Sequence, residues 1–272
     1  MSNNYKHDHY QYLNIIEHGK TLEIKLNRPD KLNAVNMEML EELWLVVSGL
    51  NYDVDTRVVI ISGTGNAFCA GLDLEGPLAD GANLNNKQRM HIQKRLSRLL
   101  KLVYELPQAT IAIASGAACG FGLGIMCACD LRYGSETMKA NAAFIRLGFT
   151  GCDMGVSYFL PRIIGSTAAN EMMLTGRFYD AKRLMSNGFL ADIVEEEKLE
   201  ETALTAARDM LRNSPMGLRL TKEGIRINSN AQSLEAALAL EDRQQILSGY
   251  STDQMTALMA FLSKSEPEFK DD

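Results

Sequence analysis

No uninterrupted apolar run in this 272-residue sequence approaches membrane-spanning length, which excludes a transmembrane reading. Basic charge is also in short supply: 28 Lys and Arg stand against 34 Asp and Glu, a net charge of −6. That balance argues against nucleic acid or an anionic membrane as the main partner, although a local basic patch can still receive a phosphorylated ligand. Five cysteines, Cys69, Cys119, Cys127, Cys129 and Cys152, form an odd set in apolar or small-residue surroundings. They fit neither a disulfide framework nor secretion, and predict a cytoplasmic protein. Cys127 and Cys129 lack a second cysteine pair or a histidine at ligand spacing, so no metal is expected. Residues 1–11 are polar, include His7 and His9, lack the apolar stretch of a signal peptide and read as a frayed tail. What the chain does have is 46% apolar and 23% charged residues, a globular composition. At this length about three-quarters of the unfolded surface can be buried without staples.

Thr21–Leu26 alternates Leu22, Ile24 and Leu26 with polar residues, the pattern of a half-buried strand that Pro29 then breaks. From Asn36, a suitable N-cap, the positions Met39, Leu40, Leu43, Trp44, Val47 and Leu50 recur at helical spacing and predict a helix packed on a sheet. Val58–Ile61, bounded by Gly63-Thr64-Gly65, and Thr110–Ala114 suit strands covered on both faces. Between them Asp73–Leu84, with Gly76, Pro77 and Gly81, reads as a loop. The helix after it turns Ile92, Leu96, Leu99, Leu100 and Val103 inward. Ser115–Gly124 is a glycine-rich turn feeding the apolar stretch Ile125–Cys129. Strand, glycine turn and helix in that order imply an α/β fold with a largely parallel sheet. Residues 197–212, 217–228, 233–247 and 251–264 read as helices, the last opening on a capping box of Ser251 and Gln254. The predicted organisation is an α/β core over residues 1–195 and a helical region over 196–272 that packs on it or on a neighbouring subunit.

A glycine-rich turn that opens a helix exposes unpaired N–H groups and the positive end of the helix dipole, so it can bind an anion. Three common uses of such a turn are excluded. Ile125 stands where the dinucleotide fingerprint needs its third glycine, and no Gly-Lys-Ser or Gly-Lys-Thr follows as a phosphate loop requires. Around Ser157, Phe159 occupies the second glycine position of a nucleophile elbow. What remains is a pair of strand-exit turns, Phe68–Asp73 and Gly120–Gly122, at the carboxyl ends of parallel strands where ligands usually bind. Two N–H groups converging there make an oxyanion hole; the alternative is that these glycines only let helices pack closely on the sheet.

Leu26-Asn27-Arg28-Pro29 with Leu32-Asn33-Ala34 resembles the first signature of the crotonase superfamily, also called the enoyl-CoA hydratase/isomerase family. Ala67-Phe68-Cys69-Ala70-Gly71-Leu72-Asp73-Leu74 resembles its second, and Gly116 through Asp130, continuing to Gly155, Leu160-Pro161-Arg162 and Gly165, its third. The similarity runs from about Leu22 to Phe269. The resemblance implies a crotonase-like spiral of ββα turns, a C-terminal helical trimerisation region, and homotrimers commonly paired into homohexamers. It also implies an acyl-CoA substrate, with coenzyme A present only as part of that substrate and no separate cofactor. Residue by residue, it maps the oxyanion hole to the N–H groups of Leu72 and Phe121 and the adenine-contacting carbonyl to Ala70. Phe261 and Lys264 match C-terminal positions that reach CoA, often across a subunit boundary, and Arg28 is implied as a phosphate partner. Two preorganised donors of this kind stabilise the enolate oxygen of a thioester by on the order of several kcal/mol.

Hydratases of this family use two glutamates, and here those positions fall on Gly124 and Phe144, neither of which can exchange a proton. Phe144 is then expected to contact the substrate. The candidate carboxylate is Asp153, in Gly151-Cys152-Asp153-Met154-Gly155, matching the aspartate of dienoyl-CoA isomerases, naphthoate synthases and chlorobenzoyl-CoA dehalogenases of the same superfamily. Its apolar neighbours suit a proton shuttle, while the alternative is a cap for a helix beginning near Met154. His91 is an imaginable base but reads better as a solvated residue. Tyr158 and Ser157 read as packing residues, Glu136 and Asp130 as structural ones. The favoured expectation is isomerase-type proton transfer by Asp153 with the enolate held by Leu72 and Phe121. The alternatives are a hydrolase or dehalogenase-like enzyme with Asp153 as nucleophile, or a non-catalytic acyl-CoA binder.

Overall fold

The computed structural model describes residues 4–75 and 84–271, so Gly76, Pro77 and Gly81 of the expected loop lie outside the described residues. Strands β1 (Leu13–His18) and β2 (Thr21–Leu26) form an antiparallel hairpin, with Leu13 opposite Leu26. Helix α1 (Met37–Leu50) opens on Asn36, whose side chain accepts the Met39 N–H. A unit of two strands and a helix then repeats: β3 (Val58–Gly63), β4 (Ala67–Cys69), α2 (Asn86–Glu105); β5 (Ala109–Ala114), β6 (Ala117–Cys119), α3 (Phe121–Ala128); β7 (Leu131–Ser135), β8 (Lys139–Asn141), α4 (Val156–Ile164). Helix α5 (Ser166–Thr175), β9 (Tyr179–Asp180), α6 (Ala181–Ser186) and β10 (Asp192–Val194) follow. The chain continues as α7 (Leu199–Leu211), α8 (Pro215–Asn228), α9 (Leu234–Gly249) and α10 (Thr252–Ser263).

Among the described residues, the first strand of each unit joins a six-stranded sheet, β1-β2-β3-β5-β7-β10, and the second a four-stranded sheet, β4-β6-β8-β9. The larger sheet is parallel from β2 to β10, as strand–helix alternation requires. Its central strands are buried on both faces because side chains alternate. Val59, Ile61, Ala112 and Ala114 enter the main core with α1, α2 and α3. Val58, Ile60, Ile111 and Ile113 enter a second cluster with Leu199, Ala203 and Ala207 of α7.

Two expectations are corrected. Strand β2 is buried on both faces, with all its residues buried except the half-buried Lys25. Its polar Glu23 is fully buried, where it accepts the Ser62 hydroxyl at 2.6 Å and pairs with Lys25 Nζ at 3.2 Å. The N-terminal tail is not frayed over its described part. Tyr5 is buried on α1 and donates its hydroxyl to Asp53 at 2.6 Å, and Lys6 Nζ lies 2.8 Å from the same carboxylate. The Tyr5 ring lies so close to Gly49 that a Cβ there would stand 2.3 Å from a ring carbon. Burial alone would push the Asp53 carboxyl up, but hydrogen bonds from Lys6, Thr56 and Tyr5 outweigh it and hold the group well below the usual carboxylate range. One aromatic anchor in a polar stretch gives no periodic signal, which is why composition missed it.

Candidate active site

Strands β4 and β6 run parallel, Ala67 opposite Ala117, so their carboxyl-end turns emerge side by side. Glycine makes this approach possible. A Cβ on Gly122 would stand 2.4 Å from the Cys69 carbonyl oxygen, and one on Gly71, at φ 110, would meet the Cys119 carbonyl oxygen at 3.3 Å. The first turn is pinned on either side of Leu72: the Val35 N–H donates to Gly71 O at 2.8 Å, and the Asp73 N–H to Val35 O at 2.9 Å. Asn33, buried and left-handed at φ 55, donates to the Thr64 and Ala67 carbonyls and accepts the Arg28 N–H, which fixes the entry to β4. The second turn passes through Gly120 at φ 50 into α3, whose first residue is Phe121. Among the described residues neither the Leu72 nor the Phe121 N–H has an acceptor. Close packing and open donors, alternatives in the sequence, therefore coexist in these turns.

Both residues line a cavity of about 670 Å³, together with Ala70, Phe144 and Asp153. Its walls are largely apolar, with Ile92, Leu96, Leu147, Phe149 and Phe178, and its polar groups include Gln93 and Arg146. Two carboxylates appear among the described lining residues, and one is committed. Asp73 Oδ2 lies 2.6 Å from Arg28 Nη1, and its Oδ1 accepts the Glu75 N–H. Hydrogen bonds from Glu75 and Arg28 hold the Asp73 carboxyl below its ordinary range.

Asp153 is half-buried, and its Oδ1 accepts the Gln93 side-chain amide at 2.5 Å and the Met154 N–H at 2.8 Å. Its Oδ2 accepts no hydrogen bond among the described residues. It does not cap α4, whose N-cap is Gly155 without a side-chain bond. Met154 is left-handed at φ 48 and buried, a conformation uncommon for a residue with a side chain. Its Cβ covers Gly124, where an added Cβ would stand 2.9 Å away and a further 3.4 Å contact would come from Leu100. A glutamate at this position has no space. Phe144 is buried, with its ring 3.3 Å from where a Cβ on Gly120 would lie.

The remaining sequence candidates lie elsewhere. Arg28 is not among the described cavity-lining residues; its Nη1 donates to Ala34 O at 2.9 Å and to Asp73, bracing the Leu72 turn. Phe261 is 81% exposed on α10, and Lys264 forms the left-handed C-cap of that helix, both away from the cavity of this chain. His91 is exposed on α2 and also off the lining. Tyr158 accepts the Asn230 amide at 2.7 Å under the Arg162 guanidinium, and Asp130 accepts from Thr110 and pairs with Lys222 at 2.8 Å. Cys119 lines the cavity, but burial pushes its thiol up to about 11, so it stays protonated and un-nucleophilic at neutral pH. Among the described residues, His18, Glu23 and Glu200 bring potential ligand atoms within 4.8 Å of one another. Lys25 Nζ sits 3.2 Å from Glu23 and 3.4 Å from Glu200 and already supplies positive charge there. Gln93 escaped the sequence reading; its only signal is a polar residue between the inward positions Ile92 and Leu96.

Comparison with known proteins agrees with this architecture. The family model described as Enoyl-CoA hydratase/isomerase matches residues 17–272. A 1,2-epoxyphenylacetyl-CoA isomerase of Escherichia coli is 30% identical over 257 residues, 94% of this chain and 97% of that protein. A probable enoyl-CoA hydratase of Mycobacterium bovis is 32% identical over 264 residues, 95% of this chain and 93% of that protein. The crystal structure of an enoyl-CoA hydratase from Bacillus anthracis superposes with a TM-score of 0.90 at 30% identity, covering 96% of this chain and 100% of that one. With paired strand-exit turns on a two-sheet ββα spiral and this full-length similarity, the chain belongs to the enoyl-CoA hydratase/isomerase family, enzymes acting on acyl-CoA.

Proposed function

We propose that the protein catalyses an isomerase-type proton transfer on an acyl-CoA ester, with the enolate oxygen held by the Leu72 and Phe121 N–H groups and the proton carried by Asp153. The observation that carries this reading is the pairing of two open N–H donors with one carboxylate oxygen free of hydrogen bonds, in one cavity. Two-glutamate hydration is disfavoured because Gly124 has no room for a longer side chain and Phe144 is apolar. Phe144, Phe149 and Phe178 in the wall favour an unsaturated or aromatic acyl group, and the epoxyphenylacetyl-CoA isomerase similarity points the same way. The test is a panel of enoyl-, dienoyl- and arylacetyl-CoA esters in heavy water. Deuterium is expected to enter the α or γ carbon of an accepted ester as its double bond moves. Binding without exchange, or addition of water across the double bond, sinks the proposal. An acyl adduct on Asp153 in rapidly quenched samples selects the nucleophile instead.

The division at about residue 195 is proposed as an acyl-CoA core followed by an oligomerisation region. Helix α9 has no buried residue, and α10 leaves Met255, Leu258, Met259 and Leu262 exposed. An apolar surface of this extent fits a subunit contact, in a homotrimer or homohexamer that brings Phe261 and Lys264 to a neighbouring site. Light scattering is expected to give a trimeric or hexameric mass, and the double change Leu258→Asp, Leu262→Asp to reduce it. A monomeric wild-type mass at micromolar concentration overturns this. The five free thiols, four of them buried, fit a cytoplasmic location.

A further inference from the structure

We propose that Gln93 is a positioning residue that clamps Asp153 by one oxygen and thereby assigns the proton transfer to the other. This rests on Asp153 being the proton carrier. The side-chain amide of Gln93 reaches across from α2 and donates to Asp153 Oδ1 at 2.5 Å. The same oxygen accepts the N–H of Met154 at 2.8 Å. Both recorded donors converge on Oδ1, and among the described residues none reaches Oδ2. A carboxylate oxygen engaged by two donors loses basicity toward a third partner, so the proton from the substrate α carbon goes to Oδ2.

The rest of the mount is equally local. Met154 is held left-handed beside the acid, with its Cβ over Gly124, the position that has no space for a side chain. The bare α3 surface at Gly124 thus accommodates the turn that presents Asp153, while Gln93 supplies the tie from α2. The electron pair of the breaking C–H bond moves into the thioester enolate, and the acid proton on Oδ2, which exchanges with solvent, is delivered to the new carbon as the enolate collapses. The step needs no oxidant, reductant or co-reactant.

Gln93→Leu removes the donor, and Gln93→Glu replaces it with an acceptor of nearly the same shape. Both are to be compared with wild type and Asp153→Asn in kcat, KM and thermal unfolding, on an ester accepted in the panel. Gln93→Leu is expected to lower kcat about tenfold with little change in KM. Gln93→Glu, which keeps the size of the side chain but loses the donor, is expected to lose kcat at least as far, again with little change in KM or in thermal stability. Loss of kcat in Gln93→Leu with a wild-type rate in Gln93→Glu indicates ordinary packing and overturns the clamp, as does a wild-type rate in Gln93→Leu. If Asp153→Asn is inactive while both Gln93 variants match wild type, the clamp alone fails. If Asp153→Asn keeps full turnover, or no ester is turned over by wild type, the underlying reading and the clamp fail together.

Discussion

Asp153→Asn is expected to lower kcat on the preferred acyl-CoA ester by about 10²- to 10⁴-fold, the usual contribution of a positioned acid–base group. That is about 3 to 5 kcal/mol of transition-state stabilisation. The substitution is nearly isosteric, and its amide oxygen can still accept from Gln93 and from the Met154 N–H, so the turn retains its ties. What disappears is the oxygen able to take a proton. KM and thermal stability are therefore expected to stay close to wild type while turnover and α-proton exchange collapse together. Steady-state kinetics paired with a deuterium wash-in assay measures both, and full turnover in the variant removes Asp153 from the chemistry.

Gly122→Ala is expected to damage folding and activity jointly. The new methyl would stand 2.4 Å from the Cys69 carbonyl oxygen and 2.8 Å from the Cys69 Cβ, and the nearest obstacle is backbone that cannot rotate away. Overpacking of this kind costs about 1–3 kcal/mol, and the relief available is to push β4 and α3 apart. Such a movement separates the Leu72 and Phe121 N–H groups, so the folded fraction is expected to lose at least about 100-fold in kcat, the scale of one misplaced oxyanion donor. Thermal unfolding with kinetics on the surviving protein decides it; a Gly122→Ala enzyme with normal stability and rate contradicts the close approach of the two turns.

Much of the frame was legible in the sequence because its elements are long enough to carry a period. The strand expected at Thr21–Leu26 is β2 with the same ends, and the helices begun by Asn36 and Ser251 start where those side chains accept a backbone N–H. Strands β4, β6 and β8 were missed individually, since three residues are too few to show alternation. Burial of Glu23 was also invisible, because a glutamate in a strand reads as a solvent-facing residue until its neighbours on the covered face are known. At the site, the glycine turns announced themselves by composition, and Asp153 by its place in a motif. The link from Gln93 did not, because it joins residues 60 apart through a contact between α2 and a turn. Nor did the crowding at Gly124, where the constraint is set by Met154 thirty residues downstream in the chain.

The parallel pairing of β4 with β6 has a mechanical consequence. Adjacent strands in a ladder are held about 4.8 Å apart by their hydrogen bonds, so the gap between the two amide-bearing bends is inherited from a sheet dimension. The ladder carries a register irregularity between Ala67 and Cys69, and the backbone bonds of Val35 on either side of Leu72 supply the remaining restraint. Asp153 is mounted separately, in the turn just before α4 and beyond the short helical segment Ala143–Leu147 that follows β8. On the proposed reading, activation of the carbonyl would be a property of the skeleton, and the choice of reaction would rest with a few side chains.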